Sequence, residues 1–268
     1  MTLLELLKGI VDVDCDLAIS GLALDSRRIN VGDVFIALNG AQQHGIEYAI
    51  QAVKQGAVAV IYEPEGLLQL PEIDVKCVAV PDLADLLGTI AARFYGKPSE
   101  KLAVIGITGT NGKTTCSQLV AQALPDCGVI GTLGWGEFGQ LLPTANTTPD
   151  ALAMQSMLYQ FVQQNKKAVA VEVSSHGLQQ GRVNGVEFTG AVFTNLSRDH
   201  LDYHGSMEQY LKAKLALFKV PSLQFAVVNL DDANSGDVLQ VLDDAVSRWT
   251  FSTQGKTLAN AQCLIAEK

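Results

Sequence analysis

A glycine-rich segment in the middle of the chain carries the clearest chemistry, since residues 108–115 read TGTNGKTT. The segment follows an apolar run at 102–107 and precedes residues 113–124, which can form a helix ended by Pro125. A strand, a glycine-rich loop and a helix in this order are the context of a phosphate-binding loop. In such a loop backbone N–H groups and a lysine hold the phosphates, and a threonine hydroxyl can bind Mg²⁺. We therefore predict a site for a nucleoside triphosphate.

The loop departs from the common G-x-x-x-x-G-K-[ST] spacing, because Ile107 occupies the place of the first glycine and Gly106 lies one residue early. The alternative is an ordinary glycine-rich turn with an exposed lysine. The strand before the loop and the helix after it favour the phosphate-binding interpretation.

An acidic residue, Glu172, stands near the end of the apolar run 168–173. If this run is a strand beside the one that leads into the loop, the carboxylate lies close to the phosphates. A carboxylate there can hold Mg²⁺ against the β- and γ-phosphates. The alternative is an acid that caps the following turn. Taken alone, the position of Glu172 does not distinguish a metal ligand from a cap. Its place beside a phosphate-binding loop favours the metal ligand.

A later helix carries a lysine in an unusual place. Ser206 and Gln209 form the pattern of a capping box that starts this helix. Lys214 falls within the apolar stripe of the helix, and Lys212 falls outside it. The other members of the stripe are Met207, Tyr210, Leu211, Leu217 and Phe218.

An inward-facing Lys214 is desolvated, which disfavours the charged form of the amine and lowers its pKa. A neutral amine can react with CO₂, and the resulting carbamate is an oxygen ligand for a hard metal ion. The alternative is a lysine whose stem lies on the apolar face while its charge stays in water. The periodicity alone favours this alternative.

Residues 195–204, which read NLSRDHLDYH, form a polar segment after a predicted strand. His200 and His204 stand four apart, the spacing of a helical zinc pair. Gly205 and the lack of a third soft ligand nearby argue against zinc. We prefer a single histidine that reaches the metal of the nucleotide.

The composition is that of a globular protein of two domains, with 268 residues of which 48% are hydrophobic and 18% charged. A formal net charge of −9 argues against a nucleic-acid partner, which needs a basic face. The segment Met1–Leu7 has no basic cluster, so we expect no signal peptide, and no apolar run is long enough for membrane insertion. The five cysteines lack paired spacing, which suggests reduced thiols in the cytoplasm and neither disulfides nor zinc.

The elements that must position these residues are of the α/β class. A boundary is predicted near 96–99, which reads GKPS and follows a helix over 82–95 with Asp82 as its N-cap. Strands are predicted at 34–38, 58–61, 168–173, 190–194 and 225–229. One helix is predicted between the first two strands and ends at Gly56, and another is predicted at 238–246. We predict a small N-terminal α/β domain, residues 1–97, and a phosphate-loop domain with a mostly parallel α/β sheet, residues 98–268.

Several motifs together resemble one family. Beside the loop at 108–115 stand EVSSHG at 172–177, the segment 195–204 and the helix with Lys214. They resemble the Mur ligases, most closely the MurE type, and the resemblance runs from residue 24 to about residue 232. In that family an N-terminal domain binds the uridine nucleotide, a central domain binds ATP, and a third domain brings the amino acid.

The resemblance implies an ATP-dependent amide ligase of peptidoglycan precursor synthesis. In such an enzyme ATP phosphorylates the D-glutamyl carboxylate of UDP-MurNAc-L-Ala-D-Glu. The amine of a diamino acid, meso-diaminopimelate or L-lysine, then attacks the acyl phosphate. ATP and Mg²⁺ are the implied cofactors, and we expect a monomer.

The resemblance also implies roles for single residues. The ATP phosphates would contact Gly109, Thr110, Asn111, Gly112, Lys113, Thr114 and Thr115. The metal positions would be Thr114, Glu172, His200 and Lys214 as a carbamate, of which the last three are also the implied catalytic residues. The UDP-MurNAc-dipeptide would contact Leu24, Ser26, Ala41, Gln42, Gln43, Asn146, Thr147, Thr148, Ser174, Gln180 and Arg182.

Two departures from the family matter. His44 stands where many relatives have an aspartate, and the Asp-Asn-Pro-Arg signature of the third domain is not found. We therefore expect the central domain to be incomplete and the third domain to be missing, so that the chain binds substrates without turnover. The alternatives are a ligase like folylpolyglutamate synthase and a non-catalytic module that binds a nucleotide or a UDP-sugar.

Overall fold

The computed structural model describes residues 1–40, 42–67 and 69–265. The chain divides into two units, Met1–Gly96 and Lys97–Lys268. Within the described residues, no helix is both long enough and apolar enough to cross a membrane.

The first unit is built on a parallel sheet with the strand order β1-β2-β3-β4. The strands are β1 (Gly21–Ala23), β2 (Asp33–Ala37), β3 (Ala59–Tyr62) and β4 (Lys76–Ala79), and the helices are α1 (Leu3–Leu7), α2 (Ala49–Gln55) and α3 (Leu83–Phe94). All five residues of β2 are buried. Phe35, Ile46 and Val60 belong to one buried apolar cluster, so the sheet and the segment that leads into α2 share a core.

The helix ends in this unit differ in detail from the predictions. A 3₁₀ turn, Gly45–Tyr48, precedes α2, and Gly56 ends the helix with a φ of 113°, a left-handed conformation that favours glycine. The helix α3 begins after Asp82, as predicted, but the Asp82 side chain makes no capping hydrogen bond. Its backbone has a φ of 52°, whereas a capping side chain requires an extended backbone.

The second unit is built on a larger sheet with the order β13-β12-β11-β10-β5-β9-β6-β7-β8. Its strands are β5 (Ala103–Thr108), β6 (Cys127–Gly131), β7 (Gly134–Glu137), β8 (Gln140–Leu142), β9 (Ala168–Glu172), β10 (Gly190–Phe193), β11 (Phe225–Asn229), β12 (Ser247–Ser252) and β13 (Gln262–Ile265). The pairing is parallel from β13 to β6, and β6, β7 and β8 pair antiparallel at the other edge. The helices are α4 (Lys113–Ala123), α5 (Ala151–Gln163), α6 (Ser175–Gln179), α7 (Leu201–His204), α8 (Met207–Leu215) and α9 (Ser235–Gln240).

The register of the central strands brings their carboxyl ends together. Ile107 of β5 pairs with Glu172 of β9, and Thr108 pairs with Phe193 of β10. The segments that follow these three strands therefore leave the sheet at the same edge. In an open parallel sheet this is the edge at which ligands bind.

The capping box predicted for α8 is present only in part. The Ser206 hydroxyl accepts a hydrogen bond from the Gln209 N–H at 3.2 Å, which fixes the start of the helix. Among the residues that the structure describes, no returning bond from the Gln209 side chain is seen.

The prediction of a helix over 238–246 is wrong in its second half. The helix α9 lies at Ser235–Gln240, and turns follow it up to Val246. In one of these turns the Asp243 side chain accepts the Ala245 N–H at 2.9 Å, and the Asp243 carbonyl accepts the Val246 N–H. A side chain that satisfies the backbone locally competes with the helix, as is usual for aspartate.

Candidate active site

The predicted phosphate-binding loop, residues 108–115, is shaped by the segment that follows β10. Thr110 N–H donates to the Asn195 carbonyl at 2.8 Å, and Asn111 N–H donates to the Asn195 side-chain oxygen at 3.0 Å. The loop runs so close to β10 that a Cβ added at Gly109 would lie 1.9 Å from the Thr194 hydroxyl oxygen. Only glycine fits at position 109, whose φ of 150° also disfavours other residues.

Lys113, the first residue of α4, folds back over this loop. Its Nζ donates to the Gly109 carbonyl at 2.9 Å and to the Thr110 carbonyl at 3.0 Å. Burial lowers the pKa of the amine, and the negative charges of Glu172 and Asp199 oppose this shift. The side chain is held where a positive charge can meet phosphate oxygens at the loop.

Glu172 is fully buried at the end of β9 and accepts four hydrogen bonds. The donors are the Thr114 hydroxyl at 2.9 Å, the Ser117 hydroxyl at 3.3 Å, the Thr132 N–H at 3.1 Å and the Thr132 hydroxyl at 3.0 Å. Four donors compensate a buried carboxylate for its lost hydration. The next helix is capped instead by the Ser174 hydroxyl, which accepts the Gly177 N–H at 3.0 Å, so Glu172 is not the cap considered as its alternative role.

Lys214 points into the protein, with 1% of its surface exposed, whereas Lys212 is exposed. Its Nζ donates to the Gly109 carbonyl at 3.0 Å, the same oxygen that Lys113 contacts, and lies 4.4 Å from the centre of the Tyr210 ring. Burial, and then the charge of Lys113, lower the pKa of Lys214 to about 7, against an opposing effect of Asp199. The alternative of a lysine with its charge in water is therefore wrong.

Tyr210 was noted in the sequence only as an apolar stripe residue, and the structure gives it polar contacts as well. It is 1% exposed, and its hydroxyl lies 3.1 Å from the Thr110 hydroxyl of the phosphate loop. Its ring stacks on the ring of His204 with the centres 5.0 Å apart. Tyr210 thus connects α8 to the loop.

The two histidines of the polar segment have different surroundings. His200 is exposed, with Nε2 3.5 Å from an Asp199 carboxylate oxygen and its ring 4.9 Å from the ring of His176. His204 is buried, and its Nε2 lies 2.8 Å from the Ser175 hydroxyl. Burial is the main cause that lowers the pKa of both His176 and His204. His176 was not singled out in the sequence, although its motif was.

The residues predicted to surround the dipeptide lie close together. Thr148 is buried, and its hydroxyl donates to the Glu172 carbonyl at 2.9 Å and lies 3.0 Å from the Ser174 hydroxyl. Arg182 donates to the Thr148 carbonyl and to the Gln180 side-chain oxygen, both at 2.9 Å. Thr147 contacts the Thr132 hydroxyl at 3.0 Å, and Asn146 is exposed beside it.

The residues of the first unit that are predicted to contact uridine do not form one hydrogen-bonded cluster among the described residues. Leu24 is half-buried after β1, and the Ser26 hydroxyl donates to the Gln51 side chain at 3.0 Å. Gln42 and Gln43 are exposed, and the Gln43 amide donates to Glu47 at 2.6 Å. Ala41 lies outside the described residues.

His44, one of the departures from the family, has a structural role in the first unit. Its Nδ1 accepts the Ile46 N–H at 3.1 Å and so caps the 3₁₀ turn. Its Nε2 lies 2.9 Å from the Glu63 carbonyl. The aspartate that the family resemblance implies at this position can accept the same N–H.

Two oxygen atoms of the second unit are suited to bind a hard cation. The Thr114 hydroxyl and a Glu172 carboxylate oxygen are 2.9 Å apart, and both are the oxygen ligands that Mg²⁺ prefers. Within the described ranges, no group of three or more His, Cys, Asp or Glu residues is arranged to hold a metal ion by itself. Bound nucleotide phosphates would complete such a site, as is usual for Mg²⁺.

Comparison with known proteins gives two family matches and many relatives. The model of the Mur ligase middle domain matches residues 107–267, and that of the Mur ligase family catalytic domain matches residues 18–95. The chain is 54% identical over 221 residues to the UDP-N-acetylmuramoyl-L-alanyl-D-glutamate--2,6-diaminopimelate ligase of Pseudomonas aeruginosa, which covers 81% of this chain and 45% of that protein. It is 46% identical over 274 residues to the ligase of the same name from Alkalilimnicola ehrlichii, covering 97% of this chain and 55% of the relative.

Solved structures agree with these matches. A structure of a ligase of this name superposes with a TM-score of 0.82 and 36% identity, covering 96% of this chain and 54% of that one. MurF from Acinetobacter baumannii, at 21% identity and a TM-score of 0.63 over 87% of this chain and 48% of the other, shares the fold. The chain spans about half the length of the curated relatives it matches. Since the middle-domain match alone covers more than half of the 268 residues, the chain belongs to the Mur ligase family.

Proposed function

We propose that this chain forms the nucleotide-binding and acyl-substrate-binding part of an ATP-dependent amide ligase of peptidoglycan precursor synthesis. The ligase would join a diamino acid to UDP-MurNAc-L-Ala-D-Glu. The names of the relatives favour 2,6-diaminopimelate over L-lysine. The observation that carries the proposal is that a buried carboxylate, Glu172, and a buried lysine, Lys214, both contact the same phosphate-binding loop.

The loop residues would hold ATP by its phosphates. Within Gly109–Thr115, the N–H groups of Thr110 and Asn111 are bonded to Asn195, so the N–H groups at the start of α4 would supply the donors, and Lys113 adds a positive charge. Thr114 and Glu172 would hold Mg²⁺ together with His200, whose side chain is exposed. When bound, the ion neutralises charge on the phosphates during phosphoryl transfer.

Lys214 would become a further oxygen ligand after reaction with CO₂. A pKa of about 7 leaves part of the amine neutral at physiological pH. The amine nitrogen forms a bond to the CO₂ carbon and releases one proton to solvent, which leaves a carbamate anion. The carbamate nitrogen keeps one N–H, and this N–H can maintain the contact with the Gly109 carbonyl.

The remaining predicted residues would hold the acyl substrate. In the second unit these are Asn146, Thr147, Thr148, Ser174, Gln180 and Arg182, and in the first unit Leu24, Ser26, Ala41, Gln42 and Gln43. The Arg182 guanidinium is already oriented by Gln180 and Thr148, so it can pair with a substrate carboxylate at little cost in side-chain entropy. None of these residues is proposed to bind the diamino acid. A cytoplasmic location and a monomeric state remain predictions.

Binding measurements on the 268 residues test the proposal. We expect calorimetry to detect separate binding of MgATP and of UDP-MurNAc-L-Ala-D-Glu. We expect no tripeptide when diaminopimelate is added, because the chain spans about half the length of the relatives. If the chain fails to bind MgATP, or fails to bind UDP-MurNAc-L-Ala-D-Glu, the proposal is refuted. ADP release that depends on the diamino acid would show that these 268 residues suffice for turnover.

A ligase like folylpolyglutamate synthase is the second candidate within the enzyme class. The family match over residues 18–95 and the DSR sequence at 25–27 in the first unit count against it. A non-catalytic module is the candidate outside the enzyme class, and the buried pair Glu172 and Lys214 counts against it, since simple binding does not require either charge to be buried.

A further inference from the structure

A chain of hydrogen bonds leads from Arg182 to the surface of the second unit. Arg182 Nε donates to the Gln180 side-chain oxygen at 2.9 Å, and the Gln180 side-chain nitrogen donates to the Tyr203 hydroxyl oxygen at 2.9 Å. Tyr203 was not assigned a role by the sequence motifs, although it lies within the segment 195–204 that carries His200.

The direction of these bonds is set by chemistry. A guanidinium has donors and no acceptors, so the Gln180 oxygen must face Arg182 and the Gln180 nitrogen must face Tyr203. The Tyr203 oxygen therefore accepts, and its own O–H proton must point elsewhere. Donation along such a chain polarises each successive group, which makes the terminal O–H a stronger donor.

The ring of Tyr203 packs against His176, while the residue as a whole remains partly exposed. Its centre lies 4.0 Å from the centre of the His176 ring, at an interplanar angle of 36°. The residue is 39% exposed, so a ligand can reach it. The Tyr203 hydroxyl lies beside Gln180, which in turn contacts Arg182, and both of these residues are predicted to contact the dipeptide.

We propose that Tyr203 contacts the acyl substrate and that its hydroxyl donates a hydrogen bond to a carboxylate or amide oxygen of the peptide beside Arg182. This inference rests on the proposed function, because it takes the same peptide-bearing nucleotide as its ligand. It adds a specificity-determining residue to that site.

The test compares Tyr203→Phe with the wild type by calorimetry, using UDP-MurNAc-L-Ala-D-Glu and UDP-MurNAc as ligands. We expect about tenfold weaker binding of the dipeptide ligand, since one hydrogen bond to a charged or polar oxygen is lost. Binding of UDP-MurNAc should not change. Tyr159→Phe, at a tyrosine of similar exposure on α5, is the matched control and should leave both affinities unchanged.

A second comparison separates direct contact from support of Gln180. In a Gln180→Leu background, Tyr203→Phe should still weaken the dipeptide ligand about threefold, because the hydroxyl still contacts the substrate but is no longer oriented. No effect in this background would show that Tyr203 only positions Gln180 and would overturn the contact.

The outcomes also distinguish this inference from the proposed function. If Arg182→Ala weakens the dipeptide ligand and Tyr203→Phe does not, the contact with Tyr203 is wrong and the proposed function stands. If the wild type binds the dipeptide ligand no better than UDP-MurNAc, the proposed peptide site itself is wrong, and the Tyr203 contact with it.

Discussion

Lys214 and Lys212 are two residues apart on α8 but lie in different surroundings, since only Lys214 is buried. We expect ¹³CO₂ and Mg²⁺ to produce a carbamate signal by ¹³C NMR that is lost in Lys214→Ala and kept in Lys212→Ala. The reason is that burial lowers the pKa of the Lys214 amine to about 7 and so leaves a neutral fraction that can react, whereas Lys212 lies on the exposed face of the helix. A signal that survives Lys214→Ala, or that is lost in both variants, would rule out this assignment.

The same burial predicts a dependence of stability on pH. The pKa of Lys214 is about 7 in the folded chain and close to 10.5 when unfolded, so folding disfavours the charged form between these values. The cost of burying the charge is full below about pH 7 and falls as the pH rises toward the unfolded value. Replacement by the apolar Met removes that cost.

We therefore expect Lys214→Met to be more stable than the wild type at pH 6.5, by an amount on the order of a few kcal/mol. This advantage should shrink by pH 9, where the folded wild type already holds a neutral amine. Urea unfolding of both proteins at the two pH values measures the difference. An advantage that stays constant or grows with pH would contradict the lowered pKa.

Residues with distant partners were the hardest to predict from the sequence. Glu172 was identified because it ends an apolar run beside a phosphate loop. Its partner Thr132 is 40 positions away and belongs to no recognisable motif. The contact of Lys113 and Lys214 with one carbonyl likewise depends on a fold that brings α4 and α8 to the same loop.

At the scale of elements, the loop at 108–115 and the start of α4 are proposed to bind the phosphates of ATP together. We expect Lys113→Ala to abolish detectable ATP binding, because the positive charge that would pair with the phosphates at the loop is lost. Binding of UDP to the first unit should be unchanged, since Lys113 lies in the second. Titration calorimetry with each ligand separately measures this. Loss of both affinities would instead indicate unfolding or a wrong assignment of ligands to units.

The central strands could be predicted because their burial leaves continuous apolar runs. The runs at 168–173 and 190–194 correspond to β9 and β10, which lie inside the sheet. β12 and β13 were missed, because they lie towards one edge and mix exposed with buried residues. An edge strand is held by its backbone pairing, and such pairing leaves little trace in the order of side chains.

At the scale of the whole molecule, each unit carries its own predicted ligand contacts, which can be tested against each other. Ser26 lies in the first unit and is proposed to contact the uridine nucleotide, and Arg182 lies in the second and is proposed to contact the dipeptide. A substitution in one unit should therefore affect a different part of the ligand than a substitution in the other. UDP and UDP-MurNAc-L-Ala-D-Glu share the uridine end and differ in the sugar and the peptide.

We expect Arg182→Ala to weaken binding of the dipeptide ligand by about 1.5–3 kcal/mol, the typical loss of a charge-assisted hydrogen bond, and to leave UDP binding nearly unchanged. Ser26→Ala should weaken both ligands by a similar factor, because both carry the uridine. Calorimetry with the two ligands on the two variants gives four affinities. If Arg182→Ala weakens UDP as much as the dipeptide ligand, then Arg182 supports the fold through Thr148 and Gln180 and does not hold a substrate carboxylate.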